Sequence, residues 1–213
     1  MRLRPPLSVF EPMHHMTFSA PPNSAPPLCV VACELVCGDR SQAIAAASAL
    51  YLMHAASFTH EHLPFTDRPK PKPKPTVHSG YGPDFELLIP DAMVPFGYYE
   101  LLAMSDDPAQ DTSGRVLRVM VELTRAMGSQ GIIDGEYQDG KMYVSQLDGK
   151  ELDNVQSIDD MCRKKESRLH AYAAACGAIV GGANEEEIEK LRKYGHYVGI
   201  IQYKDIQIDL EGK

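Results

Sequence analysis

Residues 41–58, SQAIAAASALYLMHAASF, carry no Asp, Glu, Lys or Arg, and this run limits the fold more than any other feature. Its small residues favour a helix, and no face of that helix is polar enough to meet water. Such a segment is stable only when neighbours cover it on all sides. A membrane could also supply that cover, but the Ala and Ser content and the embedded His54 favour a buried core helix over a bilayer span.

The neighbouring segments read as the elements that would surround it. Residues 28–37 form a short helix stopped by Gly38, and Asp39 or Ser41 can cap the helix that runs on to about Glu61, before Pro64. Further helices are expected over 84–104, imperfect at Pro90 and Pro95, and over 112–127 and 157–180. Asn184 followed by Glu187 is a capping-box start, and the acidic run 185–187 suits the positive end of a helix running to about Leu210. No alternating strand pattern and no internal repeat occurs, so the expected class is all-α. Residues 1–27 are Pro-rich and are not expected to form a continuous helix. They read as a segment packed on a single helical domain spanning 28–213, with C-terminal helices expected to be missing from it.

Net charge −8 argues against a nucleic-acid partner. The five cysteines are odd in number, and Cys29, Cys33 and Cys37 fall four apart in one run, a poor disulfide framework that points to a reducing compartment. On a helix through residue 37, Cys33 and Cys37 would share one face. Arg2 and Arg4 are not followed by an apolar signal-peptide core. Residues 70–75, KPKPKP, read as a stiff, extended basic connector.

Chemistry would be sought first at 57–67, SFTHEHLPFTD, which looks like a carboxylate cluster with carboxylates removed. His60-Glu61-His62 is not a HExxH zinc pattern, because residues two apart project from different sides of a helix.

The blocks LCVVACELVCGD (28–39), LMHAASFTHEHLP (52–64), KPTVH (74–78), PDAMVPFGYYE (90–100), GIIDGEYQD (131–139), CRKKESRL (162–169) and GAIVGGANEEEIEKLRKYG (177–195) lie in the order of one known family. Together with the end segment 197–209 they resemble trans-prenyltransferases of the geranylgeranyl diphosphate type. That resemblance implies a bundle of long antiparallel helices around a central cavity. In the family, aspartates on facing helices hold Mg²⁺ ions against a diphosphate leaving group, and Lys and Arg complete the diphosphate pocket.

Measured against that pattern, the anion-handling elements are depleted. The first Asp-Asp pair is replaced by Glu61 and His62, and only Asp67 keeps its type. The second motif retains Asp205 and Asp209 but no adjacent pair, with Lys204 beside them. The cationic cluster expected before Leu28 is replaced by the neutral run APPNSAPP (20–27). Lys165 stands without the Thr-Gly that normally follows it, and Glu136 stands where Gln is usual.

Scaffold kept and catalytic elements lost together imply a non-catalytic role, so no catalytic or metal residue is assigned and no cofactor is expected in this chain. The Cys33–Cys37 pair with degraded aspartate motifs is similar to the small subunits of plant heteromeric geranyl diphosphate synthases. The resemblance implies partner binding through Cys33 and Cys37 to a Mg²⁺-bearing catalytic large subunit of geranylgeranyl diphosphate synthase type. It further implies a heterodimer or higher heteromer, direction of the product toward C10, and residence in the plastid stroma. Cys176, with Tyr172 four residues before it, would be a half-kept second pair. Two alternatives remain: a divergent prenyltransferase using Glu61, Asp67, Asp205 and Asp209, and a thiol or metal sensor using Cys29, Cys33 and Cys37.

Overall fold

The computed structural model describes residues 6–60, 81, 83–106, 112–129, 131 and 166–211. Among them are seven α-helices and no strand. They are α1 (Leu7–Ser19), α2 (Ala25–Leu35), α3 (Arg40–His60), α4 (Pro83–Phe96), α5 (Ser113–Met127), α6 (Glu166–Gly181) and α7 (Glu185–Glu211). Beyond Phe96, α4 continues as a π-helical turn over Gly97–Leu102 and a 3₁₀ turn over Ala103–Ser105. The chain is all-α, as its sequence implies.

The charge-free segment lies within α3, which is buried on two opposite sides and open along a third at Ile44 and Tyr51. Ala43, Ala46, Ala49, Leu50, Met53 and Ala55 are fully enclosed. Leu50 and Met53 join one core with Cys29 and Cys33 of α2, Val119 and Leu123 of α5, Cys176 and Ile179 of α6, and Ile188 of α7. The opposite side of α3 presents Leu52, Ala55 and Ala56 to Met13 and Met16 of α1 and to Ile89 and Met93 of α4. One helix thus serves two cores, which a one-sided amphipathic helix could not do.

The N-terminal segment is not one continuous helix, as its prolines imply, but more of it is helical than the sequence announces. Residues 7–19 are helical with Pro12 inside, and the break falls at 20–24. Pro12 lacks an N–H for the turn before it, but its ring is fully buried beside Met13 and Met16. Burial of that apolar face offsets the missing bond. Pro90 is accommodated in α4 in the same way. α2 also begins earlier than expected, at Ala25, with proline in its first turn, where the absent N–H would have no helical partner.

α2 and α6 run side by side in the same direction at very short range. A Cβ placed on Gly177 would lie 1.9 Å from the carbonyl oxygen of Cys29, and one on Gly181 would lie 2.5 Å from Val36 Cγ2. Glycine at these positions lets backbone meet backbone. α6 turns into α7 through Gly182, at φ +84°. The Ala183 N–H donates to Ala178 O and the Gly182 N–H to Ile179 O, closing a Schellman turn. The expected capping box follows: Glu187 N–H donates to Asn184 Oδ1 at 3.0 Å, and Asn184 N–H to Glu187 Oε2 at 2.9 Å.

Candidate functional site

α3 leads into residues 61–67 and the C-terminal turns of α7 carry 205–209, so the positions of the two expected aspartate motifs attach to elements of one bundle. Glu61, His62 and Asp67 lie outside the described residues, as do Lys70–Lys74, Glu136, Cys162 and Lys165. Asp205 and Asp209 fall within the helical span of α7, one turn apart. Among the described residues no group of three His, Cys, Asp or Glu side chains is placed to hold a metal.

The described part of this region is built around the turn between α1 and α2. Asn23 Oδ1 accepts the Ala25 N–H at 2.8 Å, meeting one of the N–H groups at the start of α2 that have no helical partner. His54 of α3 reaches the same turn: its Nε2 is 3.0 Å from the carbonyl oxygen of Pro21, and its Nδ1 is 3.5 Å from Asn23 Nδ2. A carbonyl only accepts, so Nε2 carries the proton and Nδ1 is left to accept from the amide. On the other side, Ser24 Oγ lies 2.8 Å from Nε2 of the fully buried His170 in α6. The same hydroxyl donates to Gln202 Oε1 in α7. With its proton committed to Gln202, Ser24 Oγ must accept from His170 Nε2–H.

The turn that lacks cations is therefore tied by side-chain hydrogen bonds to α3, α6 and α7. Sequence reasoning passed over His170, Gln202 and Ser24 and set His54 aside. Ser24 and His170 are 146 positions apart, and no local spacing announces such a pair. Only the Asn-Ser-Ala-Pro-Pro run at the start of α2 offered a signal.

The cysteines require a correction. α2 stops at Leu35, so Cys33 and Cys37 do not share a helical face. Gly38 N–H donates to Cys33 O at 2.9 Å and Cys37 N–H to Glu34 O at 3.0 Å. This is again a Schellman turn, but its left-handed position (φ +62°) is filled by Cys37 instead of glycine. Gly38 sits one residue later because a Cβ there would lie 2.5 Å from Gly181 Cα. Cys37 is exposed, whereas Cys29, Cys33 and Cys176 are buried. Burial raises the pKa of all three, with added repulsion between Cys29 and its neighbour Cys33. For Cys33, Asp39 and Glu34 push further in the same direction. Thiols held protonated are poor nucleophiles and poor metal ligands, so these three behave as small packing groups.

At the far side of the core, Glu122 of α5 is buried and accepts from Arg192 Nη1 of α7 at 3.0 Å. Arg192 also bonds Glu189 at 2.9 Å and lies over the Tyr172 ring, 5.2 Å from its centroid. This ties α5, α6 and α7 together, and Tyr172 is committed there instead of to any second thiol pair. An open apolar groove of about 640 Å³ runs along the outside of α1, α2 and α3, past Phe18, Val30, Val31, Ile44 and Tyr51. Its charged rim residues, Glu34 and Arg40, approach each other at 3.8 Å. No helix among the described residues is long and apolar enough to cross a membrane.

Comparison with known proteins places this geometry. Residues 9–213 match the polyprenyl synthetase family model. The chain is 59% identical over 202 residues to a Cannabis sativa protein named heterodimeric geranylgeranyl pyrophosphate synthase small subunit 2, chloroplastic, covering 94% of this chain and 69% of that one. It is 54% identical to the corresponding small subunit 1, covering 94% of this chain and 64% of that one. The chain thus spans about two thirds of the length of these relatives. The crystal structure of the Antirrhinum majus geranyl diphosphate synthase small subunit superposes with a TM-score of 0.81 at 50% identity, over 94% of this chain and 75% of that one.

Proposed function

The chain belongs to the polyprenyl synthetase family, and on that premise we propose that it is a non-catalytic, regulatory small subunit of a heteromeric prenyl diphosphate synthase. It binds a catalytic large subunit of geranylgeranyl diphosphate synthase type, as a heterodimer or higher heteromer. It directs that subunit toward the C10 product made from dimethylallyl and isopentenyl diphosphates. Mg²⁺ belongs to the partner, and the complex works in the plastid stroma.

One observation carries the reading. Where the family resemblance calls for paired cations, the turn 20–24 is neutral, and its oxygens accept from His54 and His170. A diphosphate needs several charge-assisted donors, and a proline turn with one amide and one hydroxyl does not supply them. The names of the two Cannabis relatives support the heteromeric role and the plastid.

Association needs apolar surface as well as a specific contact. Leu88, Tyr99 and Met104 of α4 and its continuation, and Leu117 and Val121 of α5, are large apolar side chains exposed to solvent. They supply such a surface. Of the two thiols expected to meet a partner, only Cys37 is accessible in the chain as described.

The test is an assay of the purified chain alone with isopentenyl and dimethylallyl diphosphates and Mg²⁺. The expected result is no product above background. Sustained turnover would instead favour a self-sufficient enzyme working through Asp205, Asp209 and the carboxylates of 61–67.

A further inference from the structure

Two imidazole N–H groups from different helices converge on the α1–α2 turn, and both are spent on oxygens of the chain itself. His54 Nε2 faces Pro21 O at 3.0 Å and His170 Nε2 faces Ser24 Oγ at 2.8 Å. Ser24 is held in place by Gln202, and Asn23 by the start of α2 and by His54. Donors of this kind, gathered at the end of a helical bundle, are what an oxyanion would otherwise engage.

We propose that the turn 20–24 is an internal surrogate for an oxyanion: the Pro21 carbonyl and the Ser24 hydroxyl occupy the imidazole donors and keep diphosphate and other phosphate oxyanions out. The proposal deepens the non-catalytic reading and rests on it. Loss of cations removes affinity, and the turn then satisfies both donors; at the buried His170 an unmet donor would cost free energy. His170 shows the need most clearly. It is fully buried, and Ser24 turns its Nε2–H from an anion donor into a link between α2, α6 and α7.

The probe is inorganic pyrophosphate, added with and without Mg²⁺ to the full chain while the imidazole Hε1 resonances are followed. His54→Gln and His170→Gln assign the two signals. In the unmodified chain both signals stay still through the titration. In Ser24→Ala the His170 signal moves saturably, with binding at least about tenfold tighter, the order expected from freeing one donor for a charged acceptor. His54 faces a backbone carbonyl that no substitution at residue 21 removes, so its signal stays still and serves as the internal reference. If Ser24→Ala fails to fold, Ser24→Cys, a weaker acceptor, tests the same point.

Saturable shifts in the unmodified chain as large as in the variant would overturn the proposal. So would silence in the variant while faster amide exchange at Ala25 shows the turn released. Neither result depends on whether a partner is bound or turnover occurs, so failure here is separable from failure of the subunit reading.

Discussion

Cys37 is the residue whose local conformation most disagrees with its identity. Its φ of +62° is a left-handed conformation that glycine adopts freely and a residue with a Cβ does not. Cys37→Gly is therefore expected to raise stability by about 0.5–1 kcal/mol, the strain relieved less the extra freedom glycine gains when unfolded. Urea unfolding would read it, and a loss of stability would show that the exposed thiol has a packing role. The buried thiols make the opposite kind of prediction. Cys29 and Cys176 have folded pKa values pushed above the ordinary value of 9.0 by burial. Below that value both states are protonated and stability is fully present. As pH rises above it, the unfolded chain loses protons that the folded chain keeps, so stability falls. Each such thiol contributes a slope of up to about 1.4 kcal/mol per pH unit. Unfolding between pH 8 and pH 10 should show this decline, and Cys29→Ala should make it shallower by one thiol's share. An unchanged slope would mean that Cys29 ionises as readily folded as unfolded.

Between elements, the closest contact is that of α2 with α6. Gly177→Ala should cost at least about 2 kcal/mol, because its Cβ would meet Cys29 O at 1.9 Å and push two backbones apart. Gly114→Ala, with nothing within 4 Å in the first turn of α5, should instead stabilise by about 0.5 kcal/mol. Melting both variants side by side checks the pair, and equal effects would contradict the packing described. Ion pairs divide in the same manner. Arg192→Leu leaves Glu122 buried without its main partner and should cost about 3 kcal/mol. Arg118→Leu removes only an exposed pair with Glu185 and should leave chemical-denaturation midpoints nearly unmoved. Much of this element level was legible in the sequence. The uncharged run of α3 has only one soluble solution, and Asn184 with Glu187 marks a helix start by chemistry local to four residues. What escaped was decided by tertiary contact. α1 tolerates Pro12 because its ring is buried, and α2 ends at Leu35 because Gly38 is needed against Gly181. The Ser24–His170–Gln202 chain joins residues with no sequence relation. Helix ends and long-range polar contacts depend on what lies opposite, and a periodic pattern does not record that.

At the level of the whole molecule, the chain carries the helical fold of the polyprenyl synthetase family with a continuous interior among the described residues. The interior joins the seven described helices through α3 at one level and through Glu122 and Arg192 at another. The turn 20–24, by contrast, is neutral and hydrogen-bonded to its own bundle. The most direct measurement is co-expression of this chain with a catalytic subunit of geranylgeranyl diphosphate synthase type. The co-purified complex is then given dimethylallyl and isopentenyl diphosphates with Mg²⁺, and its product lengths are compared with those of the catalytic subunit alone. A stable complex whose C10 fraction rises at the expense of longer products is the predicted result. Failure to co-purify, or a complex with unchanged product lengths, would contradict the account.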